Sequence, residues 1–191
     1  MVAGIVRLFD IPMVQHIDPA NNEDLEFADH AGYVRIFDDP SFDADRLSFI
    51  ERARELVGKR NRHYSTWGWK DPLVIYYLKN LLEELRSPHF VFVFRDPASV
   101  AQREIIDREL GVETAPDHLL RVVDVYSRMA EFLAQDQHPA LLVSYERALR
   151  QPLATVRSLA DFLGLRVSAE RRARGAGYVR PDRHVADITG F

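Results

Sequence analysis

The stretch FVFVFRDPASVAQRE, residues 90–104, decides the fold. Its first five residues are all apolar, the pattern of a parallel strand covered on both faces. Arg95 and Asp96 follow, and Pro97 suits the first turn of a helix. A helix N-terminus presents free N–H groups and partial positive charge, so this strand–turn–helix predicts that Arg95 holds an anion. The alternative is that Arg95 pairs with Asp96 or a neighbouring carboxylate.

The rest of the chain predicts alternating helices and strands. A second buried strand is expected in PALLVSYE, residues 139–146, and a short β-like run over residues 64–69. Residues 14–45 are predicted to form a long irregular acidic connection, and GKRNRH, residues 58–63, is predicted to form a basic turn. Helices are predicted from the start of the chain to near Pro12, and over residues 44–57, 73–85, 97 onwards, 117–134 and 153–165. This order predicts an α/β fold with a parallel sheet.

Composition limits the class of protein. The chain has 191 residues, of which 47% are hydrophobic and 28% charged, which is typical of one globular domain over residues 1–191. Its formal net charge of -4 argues against general nucleic-acid binding. With no cysteine there is no disulfide and no cysteine-ligated metal site, and we expect no metal. No apolar run reaches the roughly 20 residues of a membrane span, and the start lacks a signal-peptide pattern, so we expect a cytoplasmic protein.

Three predicted strands end in polar residues that lead into helices. These pairs are Lys70-Asp71, Arg95-Asp96 and Tyr145-Glu146. In an open parallel sheet, ligands bind at the carboxyl ends of the strands. The sequence therefore predicts one anion-binding edge of the sheet.

These stretches together resemble the sulfotransferases that use 3′-phosphoadenosine 5′-phosphosulfate (PAPS). FVFRDPASVAQRE is similar to the family's 3′-phosphate-binding strand–turn–helix, and LLVSYERALRQPLATVRSLADFLGL to its Tyr-Glu segment and following helix. WGWKDP and the closing RPDRHV also resemble family segments. The resemblance covers about the last two-thirds of the chain. It implies a three-layer fold like that of P-loop NTPases, with helices on both faces of a parallel sheet. The implied activity is transfer of a sulfuryl group from PAPS to a hydroxyl or amine.

The resemblance also implies residues that bind the nucleotide. Arg95 would bind the 3′-phosphate. Arg103 stands where the family usually has a serine that makes a second phosphate contact, and it either takes over that contact or faces solvent. Tyr145 would lie near the nucleotide, although a buried tyrosine that anchors its strand is an equal alternative.

Catalytic residues are implied in the same way. Lys70 would counter negative charge that develops as the sulfuryl group moves, and its alternative role is an ion pair with Asp71. A general base must remove the acceptor proton. The candidates, in order of preference, are Asp71, His63 and Glu104. The acceptor itself, whether a small molecule, a carbohydrate or a peptide, is not determined by the sequence.

The family's glycine-rich loop for the 5′-phosphosulfate has no counterpart in this sequence. Gly58-Lys59 is followed by Arg60, and Ala53 stands where a Walker pattern requires glycine. Residues 1–12 are similar to the helix that follows that loop. The chain is therefore expected to lack the first strand and the loop, and to be inactive alone. Two alternatives remain open: a non-catalytic sulfotransferase-fold protein that binds a nucleotide or a protein partner, and an unrelated nucleotide-binding α/β protein.

Overall fold

The structure is a computed structural model that describes residues 1–13, 25–28, 42–107 and 109–180. The chain divides into two compact units, Val2–Pro88 and His89–Phe191, and Met1 is grouped with the second. The predicted single domain over residues 1–191 stays a prediction. Most of the irregular connection predicted over residues 14–45, and the RPDRHV stretch beyond Arg180, lie outside the described residues.

The described residues of the first unit form helices, most of which contribute to one largely aromatic core. They are α1 (Val2–Leu8), the single turn α2 (Leu25–Ala28), α3 (Asp43–His63) and two 3₁₀ helices, Val74–Tyr76 and Leu78–Glu84. The core consists mainly of aromatic and aliphatic side chains from α2, α3 and the 3₁₀ helices: Phe27, Phe49, Ile50, Ala53, Val57, Tyr77 and Leu81.

Helix α3 is longer than predicted, because the basic GKRNRH stretch continues the helix instead of forming a turn. Arg60 is 5% exposed, and its Nη2 lies 2.6 Å from Glu26 Oε2. The guanidinium carbon of Arg60 also lies 4.9 Å from the ring centre of Phe27 and 5.2 Å from that of Trp67. Arg60, Arg62 and His63 occupy the last turn, where positive charge is favoured by the helix dipole.

Two other predictions for this unit are wrong. The run at residues 64–69 is not a strand; Trp67 and Trp69 stack on each other at 5.3 Å and pack against the core. The helix predicted over residues 73–85 is 3₁₀, with i→i+3 hydrogen bonds such as Tyr77 N to Val74 O at 3.0 Å. Lys70-Asp71 therefore follows an irregular segment and not a strand end.

The second unit contains one parallel pair of strands among its described residues. Strand β1 (Phe90–Phe94) pairs with β2 (Ala140–Ser144), in a register that places Phe94 beside Ser144. Parallel pairing of these two strands is confirmed, whereas the three-layer arrangement stays a prediction. The helices of this unit are α4 (Pro97–Asp107), α5 (Ala115–Gln135), α6 (Tyr145–Arg150), α7 (Pro152–Phe162) and α8 (Ala169–Ala176), with a 3₁₀ turn at Val112–Thr114.

Helix α7 ends as its glycine predicts. Gly164 has a φ of 66°, a left-handed conformation that favours glycine. The Leu165 N–H donates to Ala160 O at 2.9 Å, and the Gly164 N–H donates to Asp161 O at 3.0 Å. This pair of bonds satisfies the last carbonyls of the helix.

Burial in this unit differs from the prediction in two places. Neither strand is fully covered: Phe92 is the one buried residue of β1, and Leu142 of β2 is 58% exposed. Helical spacing of Leu120 and Val123 along α5 favours a buried apolar stripe, but these two side chains are 67% and 50% exposed. The buried side chains of α5 are His118, Val122 and Phe132. The centroid of the Phe132 ring lies 5.2 Å from that of Phe90 and 5.9 Å from that of Phe92. The face of α5 that packs on β1 is therefore the face of Phe132 and not that of Leu120 and Val123.

Candidate functional site

The turn after β1 is held by a helix cap. The Asp96 carboxylate accepts the Ala98 N–H at 3.1 Å and the Ser99 hydroxyl at 3.0 Å. The Asp96 carbonyl accepts the Val100 N–H at 3.1 Å. Asp96 therefore caps α4, with Pro97 in its first turn, and Arg95 stands between strand and cap.

The ends of the two strands are joined directly. Ser144 ends β2 and caps α6, because its hydroxyl accepts the Arg147 N–H at 3.2 Å. Glu146, in the first turn of α6, accepts the Asp96 N–H at 2.8 Å through Oε1 and the Ser144 hydroxyl at 3.2 Å through Oε2. Two of the three predicted strand ends, Arg95-Asp96 and Tyr145-Glu146, therefore meet at one edge of the sheet, and their anion-binding role stays a prediction.

Arg95 and Tyr145 contact each other at the carboxyl ends of the two strands. The Arg95 guanidinium carbon lies 4.8 Å from the centre of the Tyr145 ring, a cation–π contact. Tyr145 is buried, with its hydroxyl donating to Arg180 O at 3.4 Å, whereas Arg95 is half-buried. The pair combines a positive charge with an aromatic surface. Their nucleotide-binding role stays a prediction.

Tyr126 of α5 is a residue of this site that the sequence analysis did not identify. Its hydroxyl accepts the Arg95 N–H at 2.8 Å and donates to the Arg95 carbonyl at 2.7 Å. The Tyr126 ring meets Phe94 edge-on, at 5.0 Å between centroids. Burial raises the pKa of Tyr126, as do the charges of Glu146 and Asp96, whereas the Arg95 hydrogen bond and charge lower it. The phenol thus stays protonated at neutral pH.

Arg103 and Glu104 lie farther along α4. Arg103 is half-buried. The Glu104 Oε2 lies 2.7 Å from Nδ1 of His118, which is 6% exposed, and 4.0 Å from Nη1 of Arg121. Glu104, the last of the three predicted bases, thus joins α4 to α5 through a buried histidine. Neither its role as base nor the phosphate role of Arg103 is tested by this geometry.

The predicted catalytic pair lies in the other unit, Val2–Pro88. Asp71 is 7% exposed; its Oδ1 accepts the Leu73 N–H at 2.8 Å, and its Oδ2 accepts the Tyr77 hydroxyl at 2.5 Å. Lys70 is half-buried, and His63 is exposed beside the Tyr64 ring. The hydrogen bonds of Asp71 show that it holds the first 3₁₀ turn. The catalytic roles stay predictions.

Two features are absent from the residues that the structure describes. In the ranges 1–13, 25–28, 42–107 and 109–180, no cluster of three or more histidine and carboxylate side chains could bind a metal ion. Among the helices in those ranges, none has the length and apolarity that crossing a bilayer requires.

Comparison with known proteins adds one match. The family model described as "Sulfotransferase family" matches residues 7–169, which is most of the chain and includes Lys70, Arg95, Tyr126 and Tyr145. No curated protein and no solved structure matches the chain.

Proposed function

Because the chain belongs to the sulfotransferase family, for which sulfuryl transfer is the general function, we propose that its donor is PAPS and its acceptor a hydroxyl or an amine. The proposal includes the family's three-layer fold around a parallel sheet. In the reaction, the acceptor oxygen or nitrogen forms a bond to sulfur. The bond between sulfur and the 5′-phosphate oxygen breaks, and adenosine 3′,5′-bisphosphate leaves.

One observation carries the proposal: a half-buried arginine stands at the carboxyl end of β1, directly before the N-terminus of α4. A guanidinium favours a phosphate, which it can hold with two hydrogen bonds. Tyr145 lies beside Arg95, with the centre of its ring 4.8 Å from the guanidinium carbon. These residues fit the 3′-phosphate of the donor.

Other side chains would take the roles that the family resemblance implies for them, each within its own unit. Tyr145 carries the Arg95 guanidinium on its ring and would border the nucleotide. Arg103 would supply a second positive charge from α4, at the position of the family's serine. Lys70 would counter the negative charge that develops during transfer, and Asp71 would take the acceptor proton. For that, Asp71 would have to exchange one of its two hydrogen bonds for the acceptor.

The test compares two nucleotides that differ by the 3′-phosphate, adenosine 3′,5′-bisphosphate and AMP. Arg95→Ala should weaken binding of the bisphosphate by about 2–3 kcal/mol, the loss expected for a charge-assisted bidentate contact. AMP affinity should barely change. Arg157→Ala, an exposed arginine of α7, is the matched control and should change neither. Equal weakening for both nucleotides in calorimetry would contradict the phosphate role.

Arg103 is tested in the same assay. If Arg103 contacts the phosphate, Arg103→Ser should keep bisphosphate affinity within about tenfold, or 1.4 kcal/mol, because serine restores the family's residue. Arg103→Ala should then weaken binding more than Arg103→Ser does. Identical affinities for wild type, Arg103→Ser and Arg103→Ala would exclude the contact.

A second candidate function is binding without transfer, as in a sulfotransferase-fold protein that holds a nucleotide or a protein partner. The observation that favours it is the state of Asp71, since both carboxylate oxygens already accept hydrogen bonds. Release of the bisphosphate from PAPS, measured with a panel of hydroxyl and amine acceptors, separates the two functions. Release that depends on both acceptor and Lys70 supports transfer. Tight bisphosphate binding with no release for any acceptor is the result expected for binding alone, and also for a sulfotransferase chain without the 5′-phosphosulfate loop.

A further inference from the structure

The end of β1 is held from both of its edges. Successive residues of a strand direct their backbone N–H and C=O groups to alternate edges. The Phe90 N–H donates to Pro139 O at 2.9 Å, so Phe90 and every second residue after it face β2. Asp96 follows this rule, since its N–H reaches Glu146. Arg95 must then direct both backbone groups to the opposite edge, where Tyr126 lies.

Tyr126 satisfies both of those groups with one atom. Its hydroxyl oxygen is 2.8 Å from Arg95 N, from which it accepts, and 2.7 Å from Arg95 O, to which it donates. Among natural side chains, only one that both donates and accepts can do this, and phenylalanine cannot. The hydroxyl thus acts at Arg95 as a neighbouring strand would.

We propose that Tyr126 is a positioning residue that determines selectivity for the 3′-phosphate, by fixing the backbone of Arg95 so that its guanidinium faces the anion. This inference rests on the proposed function, because it assigns a ligand to Arg95. The direction of the Cα–Cβ bond follows from the backbone at Arg95. A hydroxyl that holds both backbone groups therefore limits where the guanidinium can go.

Three further contacts around Arg95 and Tyr126 would act together with these hydrogen bonds. The Tyr145 ring supports the guanidinium at 4.8 Å, Glu146 holds the next residue along, and Phe94 packs on the Tyr126 ring. Replacing Tyr126 with phenylalanine keeps the ring packing and removes only the hydroxyl. The effect of that variant can thus be assigned to the two hydrogen bonds with Arg95.

The experiment measures binding of adenosine 3′,5′-bisphosphate and AMP to the 191-residue chain and four variants. These are Tyr126→Phe, Arg95→Ala, the double variant, and Tyr178→Phe, a control on an exposed tyrosine. Tyr126→Phe should lower the preference for the bisphosphate about tenfold, a 1.4 kcal/mol effect. AMP affinity should stay within about twofold, since AMP has no 3′-phosphate. The double variant should keep the same preference for the bisphosphate over AMP as Arg95→Ala alone, because Tyr126 acts through Arg95. Tyr178→Phe should bind both nucleotides as the wild type does.

Three outcomes would overturn the inference. A preference unchanged in Tyr126→Phe but lost in Arg95→Ala would refute the role of Tyr126 and leave the proposed function intact. Equal loss of affinity for both nucleotides in Tyr126→Phe would show a purely structural role. A preference unchanged in Arg95→Ala would refute the phosphate role of Arg95, and the inference with it.

A fluorinated tyrosine at position 126 provides a second test that does not depend on the fold of Tyr126→Phe. Ring fluorine lowers the pKa of a phenol, and a phenolate cannot donate to the Arg95 carbonyl. The preference for the bisphosphate should then be lost at a lower pH than in the unmodified chain. Identical pH profiles for the two chains, with the fluorinated phenol shown to ionise by absorbance, would overturn the inference.

Discussion

Replacing Asp71 tests whether this buried carboxylate holds the fold of its unit. Asp71→Ala removes the acceptor of the Leu73 N–H and of the Tyr77 hydroxyl. Hydrogen bonds to a charged group contribute about 1.5–3 kcal/mol each. Solvent screens them little, since Asp71 is 7% exposed and Tyr77 is fully buried. Allowing for non-additivity, we expect Asp71→Ala to lower the free energy of unfolding by about 3–5 kcal/mol.

Tyr77→Phe is the matched control, because it removes one of the two bonds and keeps the ring in the core. It should lower the free energy of unfolding by about 1.5–3 kcal/mol. The double variant should lose less than the sum of the two single variants, since the shared bond is counted once. Urea unfolding at neutral pH, followed by tryptophan fluorescence, measures these values. Both tryptophans of the chain, Trp67 and Trp69, pack on the core of this unit, so the signal reports its unfolding.

A small effect of Asp71→Ala on stability would contradict this prediction. If Asp71→Ala unfolds within about 1 kcal/mol of wild type, the two hydrogen bonds do not stabilise the unit. Loss of sulfuryl transfer at unchanged stability would instead support Asp71 as the general base. Loss of both would be resolved by Tyr77→Phe, which should lower stability without removing the carboxylate.

Three further predictions concern other parts of the chain. Gly164→Ala should lower the free energy of unfolding by about 1 kcal/mol, because Gly164 has a positive φ. Gly58→Ala, inside α3, should raise the free energy of unfolding by up to about 1 kcal/mol in the same urea assay. Effects of the same sign for the two variants would contradict this prediction. Glu104→Gln should lower the melting temperature in calorimetry, because the buried ring of His118 loses its carboxylate partner, and an unchanged value would show that the pair does not join α4 to α5. Burial raises the pKa of Tyr126 in the folded chain above the ordinary tyrosine value of 10.0. The stability due to its neutral phenol is therefore complete below about pH 10 and is lost as the pH rises through the folded pKa. Tyr126→Phe should lack this alkaline loss in urea unfolding, and an identical pH dependence would argue against burial of the phenol.

The strand-end geometry of the second unit could be predicted because its signals are local. The five apolar residues of β1, followed by Arg95, Asp96 and Pro97, contain both the strand and the helix cap that follows it. Ser144 and Glu146 repeat this pattern at β2, and parallel pairing brings the two ends together. The same locality applies to Gly164, where a positive φ ends α7.

Features that depend on tertiary packing could not be predicted. The aromatic run at residues 64–69 has β propensity, yet Trp67 and Trp69 stack on each other and on the core instead of pairing in a sheet. Along α5, Leu120 and Val123 have helical spacing, but Phe132 packs on β1 and turns them outwards. The contact of Tyr126 with Arg95 joins residues 31 positions apart, and no local pattern marks it.

The contacts that hold Arg95 at the end of β1 also affect how much conformational entropy is lost when a ligand binds. Arginine side chains lose rotamer freedom when they grip a ligand, and immobilising one such side chain costs about 0.5–1.5 kcal/mol. In this chain the Arg95 backbone is already held by Tyr126, and its guanidinium already rests on the Tyr145 ring. Part of the entropy loss is therefore incurred during folding and not at the moment of binding. If Arg95 binds the phosphate as proposed, the anion meets a preorganised arginine, and more of the contact energy remains as affinity.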